Sequence, residues 1–408
     1  MRKLLVVLVS TLLFNHIGYA QSREAPVALG FAAKLDSAIL KEERKFWVHL
    51  PYSATTPKER TPERYPVIYL LDGDSHFNAI VTITEHLSAE GRMPPTIVVG
   101  ILHPNRRKDL TVGLDRDDAP DDVLGQDAGG GPEFMNYLEK ELMPYIDSHY
   151  ATDDYKIFIG HSLGGLSVMH SFVHQANLFN ANVSLDASLW WNKQSVVNEA
   201  PKRLRSQDYS GKSLYVAMAN RLPKGMNLIS VRKDKTEKTS LLRANLDFLD
   251  QLKRSAPSGL RYQSKFYPNE NHGSLPLIAE YDALRFIFAS YFFKISEDQL
   301  DDAKYDLVSA IETHFACVSK HLKHQFLPNR ALVNQFGYRD LGAKRFRRAQ
   351  QLFELNVKNY PLDANSHDSL GDLYLAIGNK AKAIESFQQA LKLELIPETK
   401  EKLENLLK

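Results

Sequence analysis

A single cysteine, Cys317, occurs in 408 residues. An internal disulfide is therefore excluded, and the fold must rest on its apolar core, as a chain of this length allows. No sign of charge dominates: 51 basic and 49 acidic side chains leave a formal net charge of +2. Without an extended field, neither nucleic acid nor an anionic membrane surface is an expected partner. H-E-x-x-H and G-x-x-x-x-G-K-[ST] are both missing, so no metal site, phosphate-cradling loop or cofactor is predicted. Cys317 lies in AIETHFACVSKHL, where a small buried helix position is expected rather than a thiol working with His314 or His321.

Long apolar runs are also scarce. The one near the start, Leu4 to Phe14, follows basic Arg2 and Lys3 and precedes small residues at Gly18-Tyr19-Ala20. It is shorter than the roughly 20 residues that span a bilayer, and the pattern predicts a signal peptide over residues 1–20, cleaved after Ala20. The expected location is secreted or periplasmic, with no membrane span after cleavage.

What is present is an alternation. Short β-like runs at Phe46–Leu50, Val67–Asp72, Ile97–Leu102, Ile157–Ile159, Val183–Leu185, Leu214–Met218 and Tyr262–Tyr267 are separated by helical patterns. Several runs are continuously apolar, as in strands covered on both faces. In PEFMNYLEKELMPYIDSHY, Phe134, Leu138, Leu142 and Ile146 recur at spacing four, the stripe of an amphipathic helix. An α/β architecture is predicted, a mostly parallel sheet with helices on both faces. The Asp- and Gly-rich DRDDAPDDVLGQDAGGG reads as a surface loop.

After residue 293 the texture changes. A helical connector is expected over 294–329, and over 330–408 two segments align at a spacing of 34: Gly337 with Gly371, Ala349 with Ala383, Phe353 with Phe387. That period is the signature of tetratricopeptide repeats, in which small residues let paired helices approach and an aromatic fills the groove. Asp340 departs from the pattern, where an aromatic is usual. KEKLENLLK reads as a capping helix. The expected division is thus 1–20 leader, 21–293 α/β domain, 294–329 connector, and 330–408 a small all-α repeat domain. Deleting everything beyond about Gln325 is expected to leave the α/β domain working.

The chemistry concentrates at IFIGHSLGGLSVMHSF. Gly160-His161-Ser162-Leu163-Gly164 matches G-x-S-x-G between a strand and a helix, the sharp turn that exposes a serine nucleophile. His161 is expected to point away from the serine. A serine needs a base to take its proton, and His272 in YPNENHGS follows the last β-like run, as a hydrolase base does. The acid that orients the imidazole should lie between them in the chain. The place after Leu214–Met218 holds Ala219-Asn220-Arg221 and no acid; Asp234 is preferred, Glu237 is the alternative, and Asp186 and Glu270 are further candidates. Oxyanion donors are expected at the backbone N–H groups of Leu163 and Asp74.

The order LLDGDSHF, GGGPEFMNYLEKELMPYI, GHSLGG, DASLWWN, YPNENHGSLPLIAEYDALRFIF resembles the esterase family of α/β-hydrolases that includes esterase D and the enterobactin esterases, over about Leu35 to Phe293. The resemblance implies an α/β-hydrolase fold and a serine carboxylic-ester hydrolase, with Ser162 and His272 carried over as nucleophile and base. Family members commonly show Ser-Pro-Ser where this chain has Asp186-Ala187-Ser188, which implies that Asp186 is not the acid. Siderophore-cleaving members have a glutamate soon after the seventh strand, and this chain has none there. Trp190 and Trp191 match the family's aromatic pair near the cleft, as substrate-lining candidates. The expected partner is a small-molecule or conjugated ester, with a protein, a peptide or a second copy of the chain docking on the repeats. An acyltransferase or thioesterase using the same serine is one alternative; a noncatalytic binding protein built on the repeats is another.

Overall fold

The computed structural model describes residues 28–51, 63–113 and 127–408. The expected leader and most of the Asp- and Gly-rich loop lie outside them. The β-rich runs assemble into one eight-stranded sheet: β1 Phe31–Ser37, β2 Glu42–His49, β3 Tyr65–Leu70, β4 Ile97–Ile101, β5 Thr152–His161, β6 Ala181–Leu185, β7 Ser213–Ala219 and β8 Arg261–Tyr267, in the order β1-β2-β4-β3-β5-β6-β7-β8. β1 and β2 pair antiparallel, as do β2 and β4; every later pairing is parallel. All seven expected runs fall in or overlap strands. β3, β4, β6 and β7 are buried throughout, which explains why they read as unbroken apolar stretches. β1, with an exposed face and no apolar run, gave no such signal.

Three helices follow strand ends that matter below: α1 Gly73–Ala89 after β3, α2 Leu163–His174 after β5, and α3 Leu275–Ile287 after β8. The connection from β3 runs to β4 on one side, while that from β5 runs to β6 on the other. The sheet therefore reverses its winding between β3 and β5, and a crevice opens beyond their carboxyl ends. In the stretch 131–149, Phe134, Leu138, Leu142 and Ile146 are all fully buried as expected. The helix is not continuous, however: a π turn over Leu138–Leu142 separates Gly131–Tyr137 from Met143–His149. Pro144 has no N–H for the carbonyl one turn back, which loosens the ladder there.

Beyond the sheet, α4 Leu307–Leu322 leads to α5 Arg330–Gly342, α6 Phe346–Asn359, α7 Ala364–Ala376, α8 Lys380–Leu393 and α9 Pro397–Leu407. The 34-residue alignment lands on two helix pairs with the same internal contact. A Cβ on Gly337 would stand 2.5 Å from the Phe353 ring, and one on Gly371 2.5 Å from that of Phe387. Asp340 departs from the pattern for a reason: it is buried and accepts from Arg345 (2.6 Å) and Arg348 (2.5 Å), while Arg348 also donates to the carbonyls of Leu300 and Asp302. Cys317 is on α4 as expected but is exposed rather than buried.

No boundary in the apolar core separates the sheet from α4, α5 and α6. One cluster runs from Ile68, Ile157 and Val183 in the strands through Phe288 and Tyr291 to Phe315, Phe326, Phe336 and Leu352. Among the described residues no helix is long and apolar enough to cross a membrane.

Candidate active site

Parallel strands in register end together, so the residues that follow them share one edge. The N–H of Leu71 bonds the carbonyl of Ile159, that of Ser162 bonds Leu185, and that of Asp186 bonds Ala217, at 2.8–3.0 Å. At three of these ends a non-glycine residue adopts positive φ: Asp72 (54°), Ser162 (60°) and Asp186 (42°). Such backbone is costly for L-residues and concentrates where function fixes it. At Ser162 it makes the strand-to-helix bend. The bend is tight enough that a Cβ on Gly160 would meet the Gly164 carbonyl oxygen at 2.4 Å.

Ser162 and His272 line one cavity of about 330 Å³, together with Asp72, Asp74, Ser75, His76, His103, Arg106 and His161. Ser162 Oγ lies 3.4 Å from Ser188 Oγ. His272 Nδ1 is 2.6 Å from Asp186 Oδ2. Asp186 is fully buried, its Oδ1 accepts the Ala219 N–H at 3.1 Å, and Arg221 approaches Oδ2 at 3.8 Å. With Nδ1–H donated to Asp186, the imidazole keeps its Nε2 lone pair for a proton.

The acid expectation therefore needs correction. Asp234 Oδ2 accepts from the hydroxyls of Thr236 and Thr239 at 2.5 Å each, within its own loop, and these bonds hold its carboxyl below the usual range. Glu237 is exposed, at the start of a 3-10 turn in the same loop. Neither lines the cavity. Asp186, which the resemblance set aside, is the carboxylate on His272. Glu270 accepts from Ser274 at 2.6 Å and receives the Asn220 N–H on its carbonyl, so it braces the loop that carries His272.

Leu163 and Asp74 both stand in the first turn of a helix, where N–H groups lack intrahelical acceptors, and Asp74 lines the cavity. Trp190 and Trp191 pack against each other at 5.8 Å, the first 39% exposed and the second partly buried against the core, and neither is among the cavity's lining residues. His161 corrects a further expectation. It lines the cavity instead of pointing away, with its ring 4.3 Å from that of His272. Burial, with the neighbouring imidazoles His272 and His76, pushes it down to about 4.

Several cavity residues were not singled out in the sequence. Arg106 binds both oxygens of Asp72, at 2.6 and 2.8 Å, and donates to the His161 carbonyl. His103 meets Asp109 Oδ2 at 3.0 Å, and that carboxylate also takes Arg44 at 2.5 Å. Burial opposes ionisation of Asp109, but His103 and Arg44 outweigh it and hold the carboxyl low. No local pattern marks these residues: His103 and Arg106 both follow β4, and the Asp72 and His161 that Arg106 meets come from the ends of β3 and β5. No group of His, Cys, Asp and Glu able to hold a metal occurs among the described residues.

Residues 37–246 match the sequence profile of a family described as "Putative esterase". The ferri-bacillibactin esterase BesA of Bacillus subtilis is 27% identical over 262 residues, covering 60% of this chain and 85% of that protein. Among solved structures, the IroE-like serine hydrolase from Shewanella oneidensis is similar with a TM-score of 0.66 at 29% identity, over 80% of this chain and 98% of that one. A protein from Capnocytophaga ochracea shares the fold over 93% of this chain and 99% of its own, with a TM-score of 0.57 at 20% identity.

Proposed function

This chain belongs to the Putative esterase family, and we propose from that premise that it is an exported serine esterase working through an acyl-enzyme. The observation that carries the reading is the cavity that Ser162 shares with His272, whose imidazole meets the buried Asp186 behind it. Ser162 Oγ attacks the ester carbonyl carbon while His272 Nε2 takes its proton. The carbonyl oxygen becomes an oxyanion held by the N–H groups of Leu163 and Asp74. The tetrahedral intermediate collapses, the C–O bond to the alcohol breaks, and the alkoxide leaves with the proton from His272. Water then repeats the cycle and releases the acid. Asp186 acts as the orienting carboxylate, in place of Asp234 or Glu237.

Export rests on the leader pattern in residues 1–20. The division into 21–293, 294–329 and 330–408 describes how the chain would be used: chemistry in the first part, and docking of a peptide, protein or second copy on the last. We read the two helix pairs there as tetratricopeptide repeats, on their shared glycine–phenylalanine contact. Trp190 remains a substrate contact only for an ester that extends beyond the cavity. BesA is named for ferri-bacillibactin, so that compound joins a substrate panel of simple acyl esters, acetylated sugars, feruloyl esters and cyclic trilactones.

The deciding experiment is labelling with a fluorophosphonate probe, followed by turnover of p-nitrophenyl butyrate. Wild type should label at Ser162. Ser162→Ala and His272→Ala should each lose about 10³-fold or more in kcat while staying folded. Near-normal turnover in either variant would remove that residue from the mechanism. Product analysis with an added alcohol separates hydrolysis from acyl transfer.

A further inference from the structure

Three imidazoles in the Ser162 cavity are each backed by a carboxylate: His272 by Asp186, His103 by Asp109, and His76 by Glu280. The last pair has no part in the steps above. Glu280 sits on α3, the helix that follows the His272 loop, and its side chain is fully buried. Oε1 stands 3.3 Å from His76 Nδ1, and neither carboxylate oxygen has any other polar partner. His76 is in the first turns of α1, two residues beyond Asp74. An ionised carboxylate alone in such a place is too costly to persist, so the two groups must keep a proton between them.

Every charged neighbour of His76 bears on that proton. Glu280 faces it from α3, Asp72 from the end of β3, Arg106 from the turn at 106–110, and His161 from the end of β5 with its ring 5.7 Å away. Burial and Arg106 disfavour the imidazolium. Glu280 and Asp72 favour it and prevail, so His76 is raised from its ordinary value, while burial raises Glu280.

We propose that His76 and Glu280 form a proton-holding positioning pair, which ties the oxyanion turn of α1 to the helix behind His272 and keeps the cavity wall neutral while the oxyanion forms. This rests on the serine-esterase reading. With its proton the pair has no net charge. Once the proton leaves, one negative charge stays in the wall, against the negative charge that must develop on the carbonyl oxygen. Hydrolysis should therefore fall at alkaline pH, and the fall should belong to this pair.

The test is kcat/KM for p-nitrophenyl butyrate from about pH 5 to about pH 9.5, per fluorophosphonate-labelled site, in the full-length wild type and in Glu280→Gln. Wild type should give a bell whose alkaline limb drops about tenfold or more. Glu280→Gln cannot leave a negative charge in the wall, so its alkaline limb should vanish while the rising limb stays. A purely structural pair would lower the melting temperature of the variant and leave the limb in place. An unchanged limb in the variant, or no alkaline limb in wild type, overturns the proposal. If Glu280→Gln does not fold, the wild-type profile and the His76→Gln/Glu280→Gln double variant decide it by the same criterion. Wild type that neither labels nor hydrolyses the ester removes the esterase reading and this pair with it; a labelled enzyme with an unchanged limb removes the pair alone.

Discussion

Asp186 follows the apolar run Val183–Leu185 directly, in left-handed backbone, and meets an imidazole 86 positions later in the chain. Asp186→Asn should lower kcat by about 10²–10⁴, because the imidazole loses both its tautomer control and the charge that stabilises its protonated form. Asp234→Asn and Glu237→Gln should stay within about twofold; active-site-titrated rates on p-nitrophenyl butyrate check all three. Ser162 and His272 were legible because each sits in a local pattern, an elbow and a post-strand loop. Asp186 was visible only as one acid candidate among four, because its partnership depends on β6, β7 and β8 ending in register, a relation between segments far apart in sequence. The signal available was an acid placed at the end of an apolar strand, where Asp72 and Ser162 also sit. His161 adds a stability prediction. Its folded form titrates at about 4, below the roughly 6.5 of an unfolded chain, so protonation favours unfolding as pH falls through that window and changes little below it. His161→Gln should flatten that slope in urea titrations, by up to ~3 kcal/mol at pH 4.

Helix pairing in the last third was readable as a period, because glycine and phenylalanine recur where one contact repeats. The contact of Phe353 with Gly337, and of Phe387 with Gly371, is one that spacing and size alone could repeat. The π turn at Leu138–Leu142 was less visible: the apolar stripe of that stretch survives the irregularity, and Pro144 was the one cue. β1 escaped for the opposite reason, as it forms an edge with little to bury. The equivalence of the two helix pairs can be measured. A methyl at Gly337 or Gly371 would have to push an aromatic ring aside from 2.5 Å, and overpacking of this kind costs about 1–3 kcal/mol. Gly337→Ala and Gly371→Ala should therefore lower the melting temperature by similar amounts and leave kcat per labelled site unchanged. A neutral result at one position and a loss at the other would show that the pairs do not pack alike.

For the whole molecule, what matters is which parts share a core and which share the chemistry. The site lies at the carboxyl ends of the strands, whereas Phe326 packs its ring on Tyr155, Phe288 and Tyr291 at 5.4, 6.2 and 6.0 Å. Ser319 fixes Phe326 by bonds to both its N–H and its carbonyl. A cavity lined by Tyr65, Thr152, Phe326 and Tyr360 marks this junction at the amino ends of β3 and β5, opposite Ser162. Ending the chain after Gln325 would remove Phe326 from that aromatic cluster, and with it the continuation of the core through Val333, Phe336 and Leu352. Loss of one buried aromatic already costs about 3–5 kcal/mol, so this truncation should be largely insoluble, contrary to the expectation from the sequence that the first part would work alone. Ending it after Leu362 removes α7 to α9, whose apolar residues cluster with Ala349 and Phe353 apart from the main core. That shorter loss should leave soluble protein of lowered melting temperature. Because neither cut touches the strand ends that carry Ser162, Asp186 and His272, turnover per fluorophosphonate-labelled site should stay near wild type wherever soluble protein is recovered, and only the labelled fraction should fall. A Gln325 truncation that is soluble and fully labelled would show that the sheet closes its core without the helices; a fall in turnover per labelled site would show that the helices reach the chemistry.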